Sequence, residues 1–202
     1  MQPFTTLTAI AAPLIEADID TDIIYPARFL TITEKKGLGR YAFHDRRYDG
    51  QGREVADFVL NRDPWRQAGI LVAGDNFGCG SSREQAPWAI LDLGIRCIIA
   101  PSFGEIFRGN CYRNGMLPVT VGEADHAALL ADAGAGASLH IDLNVRTITR
   151  PDGSTIAIAI DDGKRDALLN GWDEVMGILN LYAGTIDRYE QERRARLPWL
   201  NR

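Results

Sequence analysis

The chain reads as an α/β protein, and three features of the sequence predict it. Four short apolar runs, Thr5–Ile10, Ile70–Ala73, Cys97–Ala100 and Val119–Val121, have the length and composition of strands. Helical stretches near Trp88–Leu93 and Phe103–Arg113 separate the last three, and strand–helix–strand alternation predicts parallel pairing. A different pattern follows: Leu139–Val145 alternates with period two, Pro151-Asp152-Gly153-Ser154 supplies a turn, and Thr155–Ile160 returns as a second alternating strand.

Taken in order, Thr5–Ile10 opens the chain as a strand, and Gly69–Ala73 is an apolar run of the buried-strand type. The helix around Trp88–Leu93 carries Pro87 near its start. A proline beyond the first turn loses a hydrogen bond, so the helix starts later than Ser82 or bends there. Strand Cys97–Ala100, helix Phe103–Arg113 and strand Val119–Val121 follow, then a helix over Ala124–Ala131 that breaks at Gly134–Gly136. After the hairpin come helices at Asp166–Asn170 and Thr185–Arg196, the latter ended by Pro198. No internal repeat or low-complexity linker appears, so a single domain over 1–202 is expected.

The densest chemistry lies between the second strand and the helix after it, in Gly74-Asp75-Asn76-Phe77-Gly78-Cys79-Gly80-Ser81-Ser82-Arg83-Glu84-Gln85. A strand-to-helix junction directs free N–H groups and the positive end of the helix dipole above the sheet edge, which favours carboxylate or phosphate. The glycines do not make a nucleotide loop. A P-loop ends in Gly-Lys-Ser/Thr, and the dinucleotide fingerprint needs a third glycine where Arg83 stands. A small carboxylic acid suits the residues better, since Arg83 offers a planar fork of donors and the Ser81 and Ser82 hydroxyls donate or accept. Helix capping is the competing reading, because Ser81-x-x-Glu84 and Ser82-x-x-Gln85 both have capping-box spacing.

Composition fits an ordinary soluble domain: 202 residues, 46% hydrophobic and 24% charged, with a net charge of −5. Nucleic acid is a poor partner for that charge, and the arginines at 193, 194 and 196 alternate with Glu190 and Glu192 as on a solvated helix face. No apolar run reaches the roughly 18 residues of a membrane span. The first residues through Ala12 lack the charge and long apolar core of a signal peptide, so a cytoplasmic location is expected. Cys79, Cys97 and Cys111 form no Cys-x-x-Cys pair, and Cys97 borders an apolar run as a small buried hydrophobe would. Three widely spaced cysteines point to a reducing compartment. His44, His126 and His140 do not group as metal ligands, and the four tryptophans read as packing residues.

The segment from Gly74 through Glu84, with Ala86-Pro87-Trp88-Ala89, resembles the swivelling-domain signature of the aconitase superfamily, and closely that of 3-isopropylmalate dehydratase small subunits. Asp20-Thr21-Asp22-Ile23-Ile24-Tyr25-Pro26-Ala27-Arg28-Phe29-Leu30 is similar to the family's early substrate loop. Gly37-Leu38-Gly39, Asp57–Asn61, Ser102–Phe107 and Asn110–Pro118 continue the pattern, so the resemblance spans nearly the whole chain.

The resemblance implies a swivelling β/β/α fold and a hydro-lyase that isomerises 2-isopropylmalate by dehydration and rehydration in leucine biosynthesis. It implies Ser81 as catalytic base, Arg83 as the group that steadies its alkoxide and a substrate carboxylate, and Ser82 as a substrate hydrogen-bond partner. Asp22, Arg28, Phe29, Leu30, Thr31 and Lys35 are the further substrate-binding candidates, on the early loop and on the Phe29–Lys36 segment that selects the variable side chain. Turn capping is an equal reading for Asp20 and Asp22. No metal or cofactor is expected on this chain, the [4Fe–4S] cluster belonging to a large subunit with which it forms a heterodimer or heterotetramer. Lys35-Lys36 and Gln85 depart from the usual pattern, Arg-Thr and His, and leave citramalate or dimethylmalate open as the hydroxy-diacid substrate. A non-catalytic carboxylate-binding module is the alternative of a different class.

Overall fold

The computed structural model describes residues 1–32 and 34–200. Its strands are β1 (Thr6–Leu14), β2 (Ile70–Ala73), β3 (Cys97–Ala100), β4 (Leu117–Thr120), β5 (Ser138–Asp142), β6 (Thr147–Thr149) and β7 (Thr155–Ala157). Its helices are α1 (Thr21–Ile24), α2 (His44–Arg47), α3 (Gln85–Asp92), α4 (Glu105–Asn114), α5 (Glu123–Gly134), α6 (Asp162–Asn170) and α7 (Glu174–Arg196). The strands lie in the order β4-β3-β2-β1-β5-β6-β7.

β1 joins two half-sheets of opposite sense. Thr6–Ile10 pairs antiparallel with β5, while Ala11–Leu14 pairs parallel with β2, which continues parallel to β3 and β4. Two strands run through prolines that lie outside the expected runs, β1 past its expected end at Ile10 and β4 from before its expected start at Val119. Pro13 lies past the end of the β5 pairing, so its missing N–H faces an open edge, and Pro118 lies on the edge strand β4.

Successive residues of β2 and β3 serve two cores. Leu71, Ala73, Ile98 and Ala100 face Ala86, Ala89 and Ile90 of α3 and Phe107 of α4, whereas Ile70, Val72, Cys97 and Ile99 face Leu129 and Ala133 of α5. Burial on both faces explains why these strands read as unbroken apolar runs. The second half differs from the expected single hairpin. Asp142 accepts a hydrogen bond from Asn144 N at 2.8 Å and Arg146 takes φ +57, which turns the chain after β5 and inserts β6, making a three-stranded meander. α7 also starts three turns before the expected Thr185, capped by the Asp173 side chain on Met176 N.

Candidate active site

The glycine-rich loop between β2 and α3 is seated by its neighbours on both sides. Gly78 holds φ +75, and a Cβ built there would lie 2.3 Å from Cγ of Phe107, so the loop crosses the first turn of α4 with no room for a side chain. Gly78 N donates to Ile19 O at 2.7 Å and Thr21 N donates to Cys79 O at 2.9 Å, which joins the loop to the segment leading into α1. Phe77 N donates to Ser102 O at 3.1 Å, and Gly104 N to Phe77 O at 2.9 Å. The three segments that resemble the family motifs therefore meet at one end of the parallel half-sheet.

Neither serine caps α3. The N-cap is Glu84, no side chain caps it, and Pro87 falls in the first helical turn, where an N–H has no partner to lose. Ser81 and Ser82 are exposed on the loop. Their amides and that of Gly80 make no hydrogen bond among the described residues. Thr21, buried beneath, donates from Oγ1 to Ser81 O at 2.9 Å and lies 3.3 Å from Ser81 Oγ.

Arg83 is largely covered, with 15% of its side chain exposed, and it grips Asp22 through both prongs: Nη2 to Oδ2 at 2.7 Å and Nη1 to Oδ1 at 2.5 Å. Nη1 also reaches Tyr25 O at 3.4 Å. Asp22 further accepts from Ala27 N at 3.0 Å. The hydrogen bond from Arg83 holds the Asp22 carboxyl below its ordinary value, ahead of the opposing effect of burial, and the same bond raises Arg83. Asp20 is the N-cap of α1, accepting from Asp22 N at 2.9 Å and Ile23 N at 2.8 Å. Turn capping thus accounts for Asp20, while Asp22 orients an arginine as well as closing a turn.

The other candidates fall into two groups. Arg28 pairs with Asp45, donating from Nη1 to Oδ2 at 2.9 Å, and contacts His44 Nδ1 at 3.1 Å. The hydrogen bond from Arg28, joined by one from His44 and opposed by burial, lowers the Asp45 carboxyl to about 2. Phe29 stacks on Tyr41 with centroids 4.4 Å apart and lies 5.0 Å from His44. Leu30 is half-buried against the core beside α1, and Thr31 is exposed. A cleft of about 390 Å³ runs from Asp20 and Asp22 past Ala27 and Arg28 to Asp45. Lys35 lies elsewhere: its Nζ sits 4.4 Å above the Trp88 ring and donates to Asn114 Oδ1 at 3.2 Å, on the α3–α4 surface. Thr33 lies outside the described residues.

Cys97 and Cys111 are wholly buried, and burial drives both thiols far up. Cys79 on the loop is half-buried, its thiol raised by burial and by Asp20 and Asp18. Among the described residues no three His, Cys, Asp or Glu side chains come together as metal ligands. Thr21, whose hydroxyl reaches the Ser81 backbone and lies beside its Oγ, is a further candidate that the sequence motifs did not single out; its signal was the place between Asp20 and Asp22. No helix among the described residues is long and apolar enough to cross a membrane.

A parallel half-sheet whose strand-to-helix loop carries two serines that cap no helix, joined through β1 to an antiparallel meander, makes this a mixed α/β domain, and the family match places it among those of the aconitase type. The Aconitase C-terminal domain family matches residues 1–124, and a second family model, described as LeuD_N, matches 127–162. More narrowly, the chain belongs to the family of 3-isopropylmalate dehydratase small subunits. It is 52% identical to the protein of that name from Gluconacetobacter diazotrophicus, over 100% of this chain and 98% of the relative. Identity to the Rhodospirillum centenum small subunit is 49% over 98% of each. A crystal structure of 3-isopropylmalate dehydratase from Methanocaldococcus jannaschii superposes with a TM-score of 0.67 at 26% identity, covering 91% of this chain and 99% of that one.

Proposed function

We propose that this chain, as one swivelling unit over 1–202, is the cytoplasmic small subunit of a 3-isopropylmalate dehydratase. It would interconvert 2-isopropylmalate and 3-isopropylmalate in leucine biosynthesis, together with a large subunit. The observation that carries the reading is that Ser81 and Ser82 are free of capping duty and stand beside an arginine already oriented by Asp22. The iron–sulfur cluster of the family is assigned to the large subunit, because Cys97 and Cys111 are sealed in the core and Cys79 stands alone on its loop.

Dehydration removes a proton from one carbon and hydroxide from its neighbour, leaving an alkene diacid, and rehydration returns them in exchanged positions. This chain's residues supply the proton half. Ser81 Oγ takes the C–H proton, and its alkoxide requires nearby positive charge and donors to exist at neutral pH. Arg83 and the free amides of Gly80–Ser82 provide them, while the Thr21 hydroxyl, which donates to Ser81 O, holds the serine in place. Arg83 has five N–H donors, of which Asp22 and Tyr25 O occupy three, so two remain for a substrate carboxylate. Ser82 adds a hydrogen bond to substrate, and the segment around Phe29 and Leu30 faces its variable side chain.

The test is anaerobic reconstitution with the large subunit from the same genome, following the alkene in the ultraviolet while isopropylmalate, citramalate and dimethylmalate are offered in turn. Preference for isopropylmalate supports the assignment. Preference for another diacid moves the specificity while keeping the chemistry, and hydroxy-acid binding without turnover by a cluster-loaded complex would leave a binding module.

A further inference from the structure

Helix α7 is 23 residues long, roughly 34 Å at 1.5 Å per residue, and it buries none of them. Its first half is nonetheless apolar. Val175, Ile178, Leu179 and Tyr182 fall at i, i+3, i+4 and i+7, with Met176 and Leu181 beside them, and each is 48–70% exposed. After Glu174 at its start, the next charged residue is Asp187. A helix apolar on several sides belongs inside a structure, and an isolated one is marginal in water.

The exposed stretch is continuous with a second apolar feature. A cavity of about 510 Å³ opens between α4, α6 and the start of α7, lined by Ile106, Gly109, Tyr112, Ala167, Trp172 and Gly177. Ile106, Gly109 and Arg113 repeat at i, i+3 and i+7, so one face of α4 carries the strip toward Glu174, 3.8 Å from Arg113. α4 in turn begins under the serine loop, with Gly104 bonded to Phe77 O and Phe107 packed against Gly78. Six side chains of α7 and Ile106 are all about half exposed or more, a contiguous apolar patch of the kind that marks a protein–protein site, unlike singly scattered surface residues.

We propose that α7 and the α4 face form the docking surface for the large subunit, with the apolar half of α7 seated in a groove of that partner. The inference rests on the reading of the chain as a small subunit. It favours the large subunit over a second copy because the strip leads to an exposed catalytic loop: a partner must cover Ser81 and Ser82 to complete the site, whereas a second copy would bring only another pair of serines.

The experiment is titration of the purified chain into the purified large subunit, by calorimetry or biolayer interferometry, with activity read separately. The double variant Ile178→Asp/Leu181→Asp changes only exposed side chains, so its circular dichroism and melting should match wild type, while its affinity falls at least ~30-fold, as for hot-spot residues. Ile106→Asp should also weaken binding. Val145→Asp, on the β5–β6 turn outside the strip, should not. Ser81→Ala should assemble as wild type yet fail to turn over, which separates docking from chemistry. Binding of the double variant within about threefold of wild type, or loss only of self-association by the isolated chain, overturns the proposal. Failure of the wild-type pair to assemble overturns both the proposal and the subunit reading.

Discussion

Replacing Gly78 by alanine attacks the pivot of the serine loop through two separate costs. The residue holds φ +75, and a left-handed conformation costs an L-residue about 1–2 kcal/mol. The added Cβ would lie 2.3 Å from Cγ, 2.4 Å from Cδ1 and 2.8 Å from Cβ of Phe107, a ring that is itself 2% exposed and has nowhere to go. Overpacking of that kind costs about 1–3 kcal/mol. The sum, about 2–5 kcal/mol, corresponds to a fall in Tm of roughly 5–20 °C for a chain of this size. Calorimetry of Gly78→Ala, Phe107→Ala and the double variant separates the two costs. Phe107→Ala alone loses about 3–5 kcal/mol by truncation, but in its presence the steric part of the Gly78→Ala penalty should vanish, leaving a coupling of about 1–3 kcal/mol. A Gly78→Ala chain melting within about 1 °C of wild type would refute the argument that this contact fixes the loop.

Three further outcomes follow from the site. Arg83→Lys replaces a two-pronged donor with a point charge, and the loss of charged hydrogen bonds of about 1.5–3 kcal/mol should lower kcat/KM roughly 10- to 100-fold; an unchanged kcat/KM excludes Arg83 from carboxylate binding. Thr21→Val removes the hydroxyl 3.3 Å from Ser81 Oγ and should reduce kcat more than it changes KM, whereas an effect confined to Tm would make Thr21 a purely structural prop. The Asp22 carboxyl is held below its ordinary value of 3.8 by the hydrogen bond from Arg83, so its contribution is present above that value and is lost as pH falls through the lowered one. Guanidinium signals of Arg83 should therefore stay constant from neutral pH down to about 4 and change only below it, and Asp22→Asn should abolish that acid transition; a transition between pH 5 and 7 contradicts the assignment.

How much of this was legible in the sequence depended on whether the deciding force was local. β2 and β3 were read to the residue because burial on both faces leaves an uninterrupted apolar run. β1 was expected to end at Ile10 and β4 to begin at Val119, leaving Pro13 and Pro118 outside, since nothing local says that a strand edge is open. The hairpin lost its middle strand because the turn after β5 is made by Asp142 and Arg146, residues without the usual glycine signal. At the site, the serine–arginine loop stood out by composition, but whether the serines cap α3 could be decided only by the helix start at Gln85. The Arg83–Asp22 pair spans 61 positions and Thr21–Ser81 spans 60, separations at which no spacing rule operates. Lys35 was placed on the substrate segment by its neighbours in sequence, while its ammonium is held by Trp88 and Asn114.

The central claim is that Ser81 is the base, and the most direct measurement compares single-turnover dehydration by wild type and Ser81→Ala in complexes shown to be assembled and cluster-loaded. Loss of a positioned proton-transfer group predicts a rate reduction of roughly 10²–10⁴, with substrate affinity changed no more than a few-fold. Dehydration at the wild-type rate by the Ser81→Ala complex would contradict the account.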